Sequence, residues 1–206
     1  MLKDRNEAGK LLAKELIKYK NEDVIVYALP RGGVVLGYEV AKTLQAPLDI
    51  IVTRKIGHPN NPEYAICAVD EKGTLLCEEA EARLVDQSWL KREIKQQRDE
   101  AKRRTDLYRG GRKPESATGK VAVIVDDGIA TGLSMRLAVK TIKLQRPKAI
   151  TVAVPVASSS SVDDLQAEGA DEIIVLVPPK EFRNAVGAHY MQFEQVEDEE
   201  VIRLLK

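Results

Sequence analysis

Val121 to Ser134 reads VAVIVDDGIATGLS. Five apolar residues run straight into two adjacent aspartates, Asp126 and Asp127, and a loop of mostly small residues follows. Only Ile129 and Leu133 are bulky between Gly128 and Ser134, while Thr131 and Ser134 add hydroxyl groups. Adjacent carboxylates raise each other's pKa unless something positive or hydroxylic compensates. A hydrated Mg²⁺ and the hydroxyls of a sugar both suit such hard oxygen ligands. The small residues let backbone N–H groups come close to a ligand, and the loop runs into a helix start. That combination is an anion site, and a phosphate is its natural occupant. Carboxylates for a ribose beside amides for a phosphate describe a 5-phosphoribosyl group.

Such a loop needs a strand and a helix to hold it, and the flanking sequence supplies both. Val121–Val125 and Val24–Leu29 are short, largely β-branched apolar runs, which suits parallel strands buried on both faces. Pro30-Arg31-Gly32-Gly33 follows the first run, and a helical pattern follows it, with Gly37, Val40, Ala41 and Leu44 on one stripe. Leu48–Thr53 is the next strand, completing a right-handed βαβ unit. Residues 5–19 read as an amphipathic helix through Ala8, Leu11, Leu12, Leu16 and Tyr19. Later come a helix over 133–145, a strand at Ala149–Val154, a short helix over Ser161–Glu168 and a strand at Glu172–Val177. In an open parallel sheet, ligands bind at the carboxyl ends of strands where strand order reverses. Asp126 and Asp127 stand at such an end.

The middle of the chain is different. Gly57-His-Pro-Asn-Asn-Pro is a loop by composition, and Tyr64–Val69 with Thr74–Cys77 flank a hairpin turn at Asp70-Glu-Lys-Gly. Residues 79–109 form a long charged helix, and 110–119 resemble a linker. Residues 180–206 carry Phe182, Tyr190 and Phe193 and end in a short acidic helix; the aromatics read first as core. Trp89 reads as helix packing, His58 as a turn residue and His189 as structural. Cys67 and Cys77 could oppose each other across the hairpin, but two reduced thiols is the expectation for a cytoplasmic chain.

Lys+Arg and Asp+Glu both number 32, a balance that argues against a general nucleic-acid binder. With 44% hydrophobic residues the composition is that of an ordinary globular protein. No apolar run is long enough to cross a membrane. The start of the chain carries charges throughout and reads as part of the fold. Walker B strands also end in acids, yet no G-x-x-x-x-G-K-[ST] exists here. Phosphatases with an Asp-x-Asp pair space their acids by one residue, whereas Asp126 and Asp127 are adjacent.

VAVIVDDGIATGLS resembles the ribose-phosphate signature of type I phosphoribosyltransferases: apolar residues, two acids, three mostly small residues, Thr-Gly, then a hydroxyl residue. RKIGHPNNPEYAICAV, LYRGGRKP, PVASS and FRNAVGAHYMQFEQVEDEEV extend the likeness, along almost the whole chain, to a group of predicted phosphoribosyltransferases of about this length. The resemblance implies a three-layer α/β/α fold over 1–206. Its mostly parallel sheet would have the order 3-2-1-4-5-6 with strand three antiparallel, taken here by the run near 64–69. Residues 57–119 would be an insertion of hairpin, mobile loop and long helix, and 178–206 a small hood.

The resemblance also implies transfer of a 5-phosphoribosyl group from 5-phosphoribosyl 1-pyrophosphate (PRPP) to a nitrogenous base or amine, with release of pyrophosphate. Asp126 and Asp127 would take the ribose hydroxyls, the second through water to Mg²⁺. Ile129, Ala130, Thr131, Gly132, Leu133 and Ser134 would hold the 5-phosphate. Arg31, Gly32, Gly33, Arg54 and Lys55 would face pyrophosphate, with Arg109 or Arg112 reaching it from the basic helical stretch. Members with 6-oxopurine substrates usually carry an Asp where this chain has Ala130, so that base class is not indicated. Cys67 stands where the group is expected to carry Gly. Homodimers are common in the family. The alternative implied by other relatives is a non-catalytic PRPP or nucleotide sensor, with RNA as partner. The chain shows no spare segment for a nucleic-acid domain.

Overall fold

The computed structural model describes residues 1–206. β1 (Val24–Ala28), β2 (Leu48–Ile50), β6 (Val121–Val125), β7 (Ala149–Val154) and β8 (Glu172–Val175) form one parallel sheet in the order β2-β1-β6-β7-β8. The order reverses between β1 and β6, so the loops after these two strands share one switch point. β1 and β6 are buried along their whole lengths. Alternate residues face opposite sides of the sheet. Val24, Val26 and Ala28 join the core beneath α1 (Arg5–Glu15) and α2 (Gly32–Leu44). Ile25 and Tyr27 join the core beneath α5 (Leu133–Lys143). This division explains the unbroken apolar runs: neither face of either strand meets water.

A second sheet is antiparallel and separate: β3 (Thr53–His58), β4 (Asn61–Asp70) and β5 (Leu75–Cys77). The antiparallel strand expected near 64–69 is therefore the centre of its own sheet. The predicted strand Leu48–Thr53 divides here: β2 ends at Ile50, and Thr53 opens β3. His58 and Asn61 pair across the turn, so the Gly57–Pro62 segment, read as a loop, mostly lengthens the two strands. The His58 Nδ1 accepts from the Asn60 N–H, as a turn residue would. Asp70 closes the second hairpin by accepting from the Lys72 and Thr74 N–H groups.

The charged helical stretch is two helices, α3 (Glu79–Leu84) and α4 (Gln87–Arg109), parted at Val85-Asp86. Asp86 caps α4 by accepting from the Trp89 N–H. Leu90, Trp89 and Ile94 of α4 pack on Ile56, Ile66 and Val69, while Leu133 and Leu137 of α5 pack on Ala68. The small sheet thus lies between two helices. The linker-like segment is tied down as well. The Glu115 N–H donates to Asp49, the Glu115 carbonyl accepts from the Tyr27 hydroxyl, and the Ala117 N–H donates to Gln145.

Cys67 and Cys77 are directly opposed on β4 and β5 and form a disulfide. This corrects the expectation of two reduced thiols. Register alone brings the pair together, and that register is not visible in the spacing of two cysteines.

After α6 (Ser159–Glu168) and β8, the tail does not stay at the rim. Leu2 and Lys3 pair with it through Leu2 N–H to the His189 carbonyl and Met191 and Gln192 N–H to the Leu2 and Lys3 carbonyls. Val196 and then Val201 and Leu205 of α7 (Asp198–Leu204) and its end enter the core beside α1 and α2. His189 is buried, accepts from the Arg183 N–H and stacks on Phe182, the structural part expected of it.

Candidate active site

The β6–α5 loop and the β1–α2 loop meet at the switch point. A Cβ on Gly32 would lie 2.0 Å from Asp127 Oδ2, and one on Gly33 would lie 2.9 Å from Asp126 Cα. Only glycine lets the second loop approach the acids this closely. The Gly32 and Gly33 N–H groups open α2 and donate to no protein atom. The preceding Pro30–Arg31 peptide bond is cis.

The same accounting holds for the other loop. None of the six backbone N–H groups from Ala130 to Met135 donates to another protein atom. Gly132, at φ 78°, is the N-cap of α5, in a left-handed conformation that glycine adopts without strain. A helix start leaves such donors free and favours negative charge near them. Ile129 differs from its neighbours. Its N–H donates to the Val156 carbonyl and its carbonyl accepts from the Ser158 N–H, so it fixes the loop and has no donor for a phosphate. The Ala130 carbonyl is held by the Ser158 and Ser161 hydroxyls, which turns the amide side of the loop outward. Leu133 buries its side chain against Ala68 and Leu137, so only its amide can serve.

Ile129, Ala130, Gly132 and Met135 line a cleft of about 80 Å³ with Lys55, Asp126, Gly128, Thr131 and Ser134. Asp126 accepts from the Asp127 N–H at 2.8 Å. Burial first, and then the charge of Asp127, hold Asp126 well above the usual carboxylate range; Lys55 and Arg5 oppose this more weakly. Burial also raises Asp127, against the nearby Arg5 guanidinium.

Arg5 is the residue the sequence reading missed. Its Nε and Nη2 each lie 2.8 Å from Asp127 Oδ2. Its Nη1 donates to the Glu194 carbonyl at 2.6 Å, and the guanidinium sits 3.9 Å over the Phe193 ring. The Tyr190 hydroxyl donates to the Asp127 carbonyl at 2.7 Å. Burial and the Asp127 charge push that phenol up, which keeps it a donor. Two of the three tail aromatics thus serve the acid pair, one directly and one through Arg5.

Four arginines expected to reach pyrophosphate are directed elsewhere. Arg54 and Lys55 are successive strand residues, so their side chains leave opposite faces. Lys55 reaches the cleft; Arg54 turns to α4 and donates to Gln97 at 3.0 Å. Arg31 directs its guanidinium to Glu197 and Asp198 at 3.5 and 3.6 Å. Arg109 is committed to buried Asp49, Nε to Oδ1 at 3.0 Å and Nη2 to Oδ2 at 3.2 Å. Arg112 donates to the Arg109 carbonyl.

No helix is long and apolar enough to cross a membrane. Comparison with known proteins agrees with the geometry. The family model described as a phosphoribosyl transferase domain matches residues 2–181. The Mycobacterium tuberculosis protein named "Putative phosphoribosyl transferase Rv0571c" is 39% identical over 204 residues, which cover 98% of this chain. Those residues are 46% of the relative, so the chain spans about half the length of the curated relatives it matches. The crystal structure of TT1426 from Thermus thermophilus superposes with a TM-score of 0.83 at 43% identity, covering 100% of this chain and 97% of that one. With the two loops facing each other at the switch point of a sheet of this order, the chain belongs to the phosphoribosyltransferase family.

Proposed function

We propose that the chain binds PRPP with Mg²⁺ and transfers its 5-phosphoribosyl group to a nitrogen nucleophile, releasing pyrophosphate. One observation carries this reading. Six unpartnered N–H groups from Ala130 to Met135 and two from Gly32 and Gly33 flank a pair of acids that lack enough positive charge. One group of donors suits the 5-phosphate and the other the pyrophosphate, while the acids between them suit the ribose. Thr131 and Ser134 add hydroxyl donors on the 5-phosphate side, and Lys55 brings a cation to the cleft.

The reaction breaks the bond from C1 of the ribose to pyrophosphate, and the nucleophile's nitrogen forms the new bond on the opposite face. As C1 gains positive charge, the carboxylates of Asp126 and Asp127 would stabilise it, and the amides would hold the two anionic ends in position. The donor set fits a hard cation: Arg5 engages only Oδ2 of Asp127, and burial leaves both acids in want of positive charge. Asp127 would hold Mg²⁺ through water, and the ion would neutralise the leaving pyrophosphate.

The test is calorimetric titration with PRPP, with and without Mg²⁺. Wild type should bind with a Mg²⁺ requirement, and Asp126→Asn/Asp127→Asn should not bind. Lys55→Met should lose about 10-fold or more, the worth of one charged hydrogen bond. A folded wild type that ignores PRPP would end the phosphoribosyl reading.

A further inference from the structure

Asp127 is gripped by both ends of the chain. Leu2 and Lys3 are joined to the tail by three backbone hydrogen bonds, from Leu2 to His189, Met191 to Leu2 and Gln192 to Lys3. From that joint Tyr190 takes the Asp127 carbonyl, and Arg5 takes its carboxylate. Arg5 is the first residue of α1, where a cation opposes the helix dipole. Its position therefore needs another explanation, and three contacts supply it: Asp127, the Glu194 carbonyl and the Phe193 face. Both nitrogens that meet Asp127 meet the same oxygen, Oδ2. Neither of them meets Oδ1, although a fork–fork pairing would have engaged it. Arg5 fixes the carboxylate plane and leaves half of the carboxylate for a ligand.

We propose that Arg5 is a positioning residue of the ribose site, which holds Asp127 by Oδ2 so that Oδ1 is presented to the sugar. Phe193 and Glu194 hold Arg5 in turn, so the tail orders the carboxylate of Asp127 through Arg5 and its carbonyl through Tyr190. This rests on the phosphoribosyl reading of Asp127. Arg5 also lies against Gly32: a Cβ there would be 2.9 Å from its Nε. A direct role toward pyrophosphate is therefore the competing outcome.

The experiment separates these by ligand. Ribose 5-phosphate, inorganic pyrophosphate and PRPP, each with Mg²⁺, are titrated into wild type, Arg5→Met, Arg5→Lys, Asp127→Asn and the Arg5→Met/Asp127→Asn pair. Loss of an orienting partner should weaken ribose 5-phosphate and PRPP by about 10- to 100-fold. Pyrophosphate should change by less than about threefold, and Arg5→Lys should recover part of the loss. In the Asp127→Asn background, Arg5→Met should add almost nothing, because coupled residues are non-additive. A merely structural residue would weaken all three ligands alike and add its effect to that of Asp127→Asn. Equal losses for all three ligands, a selective loss of pyrophosphate, or unchanged binding would each overturn the proposal. Phe193→Leu is the second variant if Arg5→Met does not fold. It removes the ring beneath the guanidinium and should give the same ligand pattern at about 2- to 5-fold; a flat result there also overturns it. If wild type binds none of the three, the phosphoribosyl reading falls and takes this role with it. If wild type binds and Arg5→Met matches it, only the role of Arg5 falls.

Discussion

Arg109→Met is the substitution that best separates structure from chemistry in this chain. Arg109 ends α4 and makes a two-pronged ion pair with Asp49 on β2, at 3.0 and 3.2 Å. A further bond at 3.2 Å goes to the Ile50 carbonyl. Asp49 is 3% exposed, so without Arg109 its charge is left buried and unpaired. Breaking a buried pair from one side costs about 3–5 kcal/mol. Asp49 keeps the Ile50 and Glu115 N–H donors at 2.8 and 2.9 Å, which places the cost near the lower end, about 3 kcal/mol. For a chain of this size that lowers Tm by roughly 6–12 °C. Asp49→Asn in the same background should restore most of it, since the uncompensated charge is gone. Differential scanning calorimetry reads the Tm, and PRPP titration below the transition should give wild-type affinity. A Tm within about 2 °C of wild type would refute the burial argument. A large loss of PRPP affinity at unchanged Tm would return Arg109 to the pyrophosphate site.

Glu71 lies in the same buried network, 3.9 Å from Arg109, with one carboxylate oxygen lacking a partner. Burial raises it above its ordinary value, so its neutral form is stabilising below the unfolded pKa and that contribution is lost as pH rises through the folded one. Glu71→Gln should therefore gain about 1 kcal/mol at pH 8 and match wild type near pH 4, and urea unfolding at both pH values checks this. Gly32→Ala would put a methyl group 2.0 Å from Asp127 Oδ2. It should cost about 1–3 kcal/mol by overpacking and displace Asp127 from Arg5; thermal unfolding with PRPP titration measures both, and unchanged PRPP affinity would contradict the geometry. Reduction of Cys67–Cys77, which closes a short hairpin, should remove about 2–4 kcal/mol. Cys67→Ser/Cys77→Ser should reproduce the reduced melting curve, and identical curves for oxidised, reduced and double-serine protein would show that the bond contributes nothing.

What could be read from the sequence was local. β1 and β6 announce themselves because both faces are buried, and the acids and small residues that follow β6 are contiguous with it. Pro30–Gly33 was legible for the same reason, as a glycine pair at the end of one strand and the start of one helix. Arg54 could have been separated from Lys55, because a period of two sends neighbours to opposite faces. The use of Ile129 depends on a bridge to Ala157 from the next loop, which the motif does not contain. Arg5 lies 122 residues from Asp127, and only the folded tail brings them together. Its one local sign was a cation in the first turn of a helix, the wrong charge for that end. The cysteine pair was weighed by compartment, whereas the register of β4 on β5 decides it.

The acid pair shows why such a site reads so clearly in sequence. Asp126 follows five buried residues, with Asp127 beside it; burial disfavours both charges, and the charge of Asp127 further disfavours that of Asp126. Arg5 and Lys55 relieve part of that repulsion. Around the acids, eight backbone donors have no protein acceptor. Unmade hydrogen bonds and crowded like charges both cost stability, and a fold selected for stability alone would remove them. Local rules that a sequence breaks at one place, with no gain inside the chain, point to a gain from outside it. A ligand with hydroxyls in its middle and anions at both ends, accompanied by a hard cation, would meet these demands together. An anion alone would satisfy the donors and worsen the repulsion; a cation alone would do the reverse.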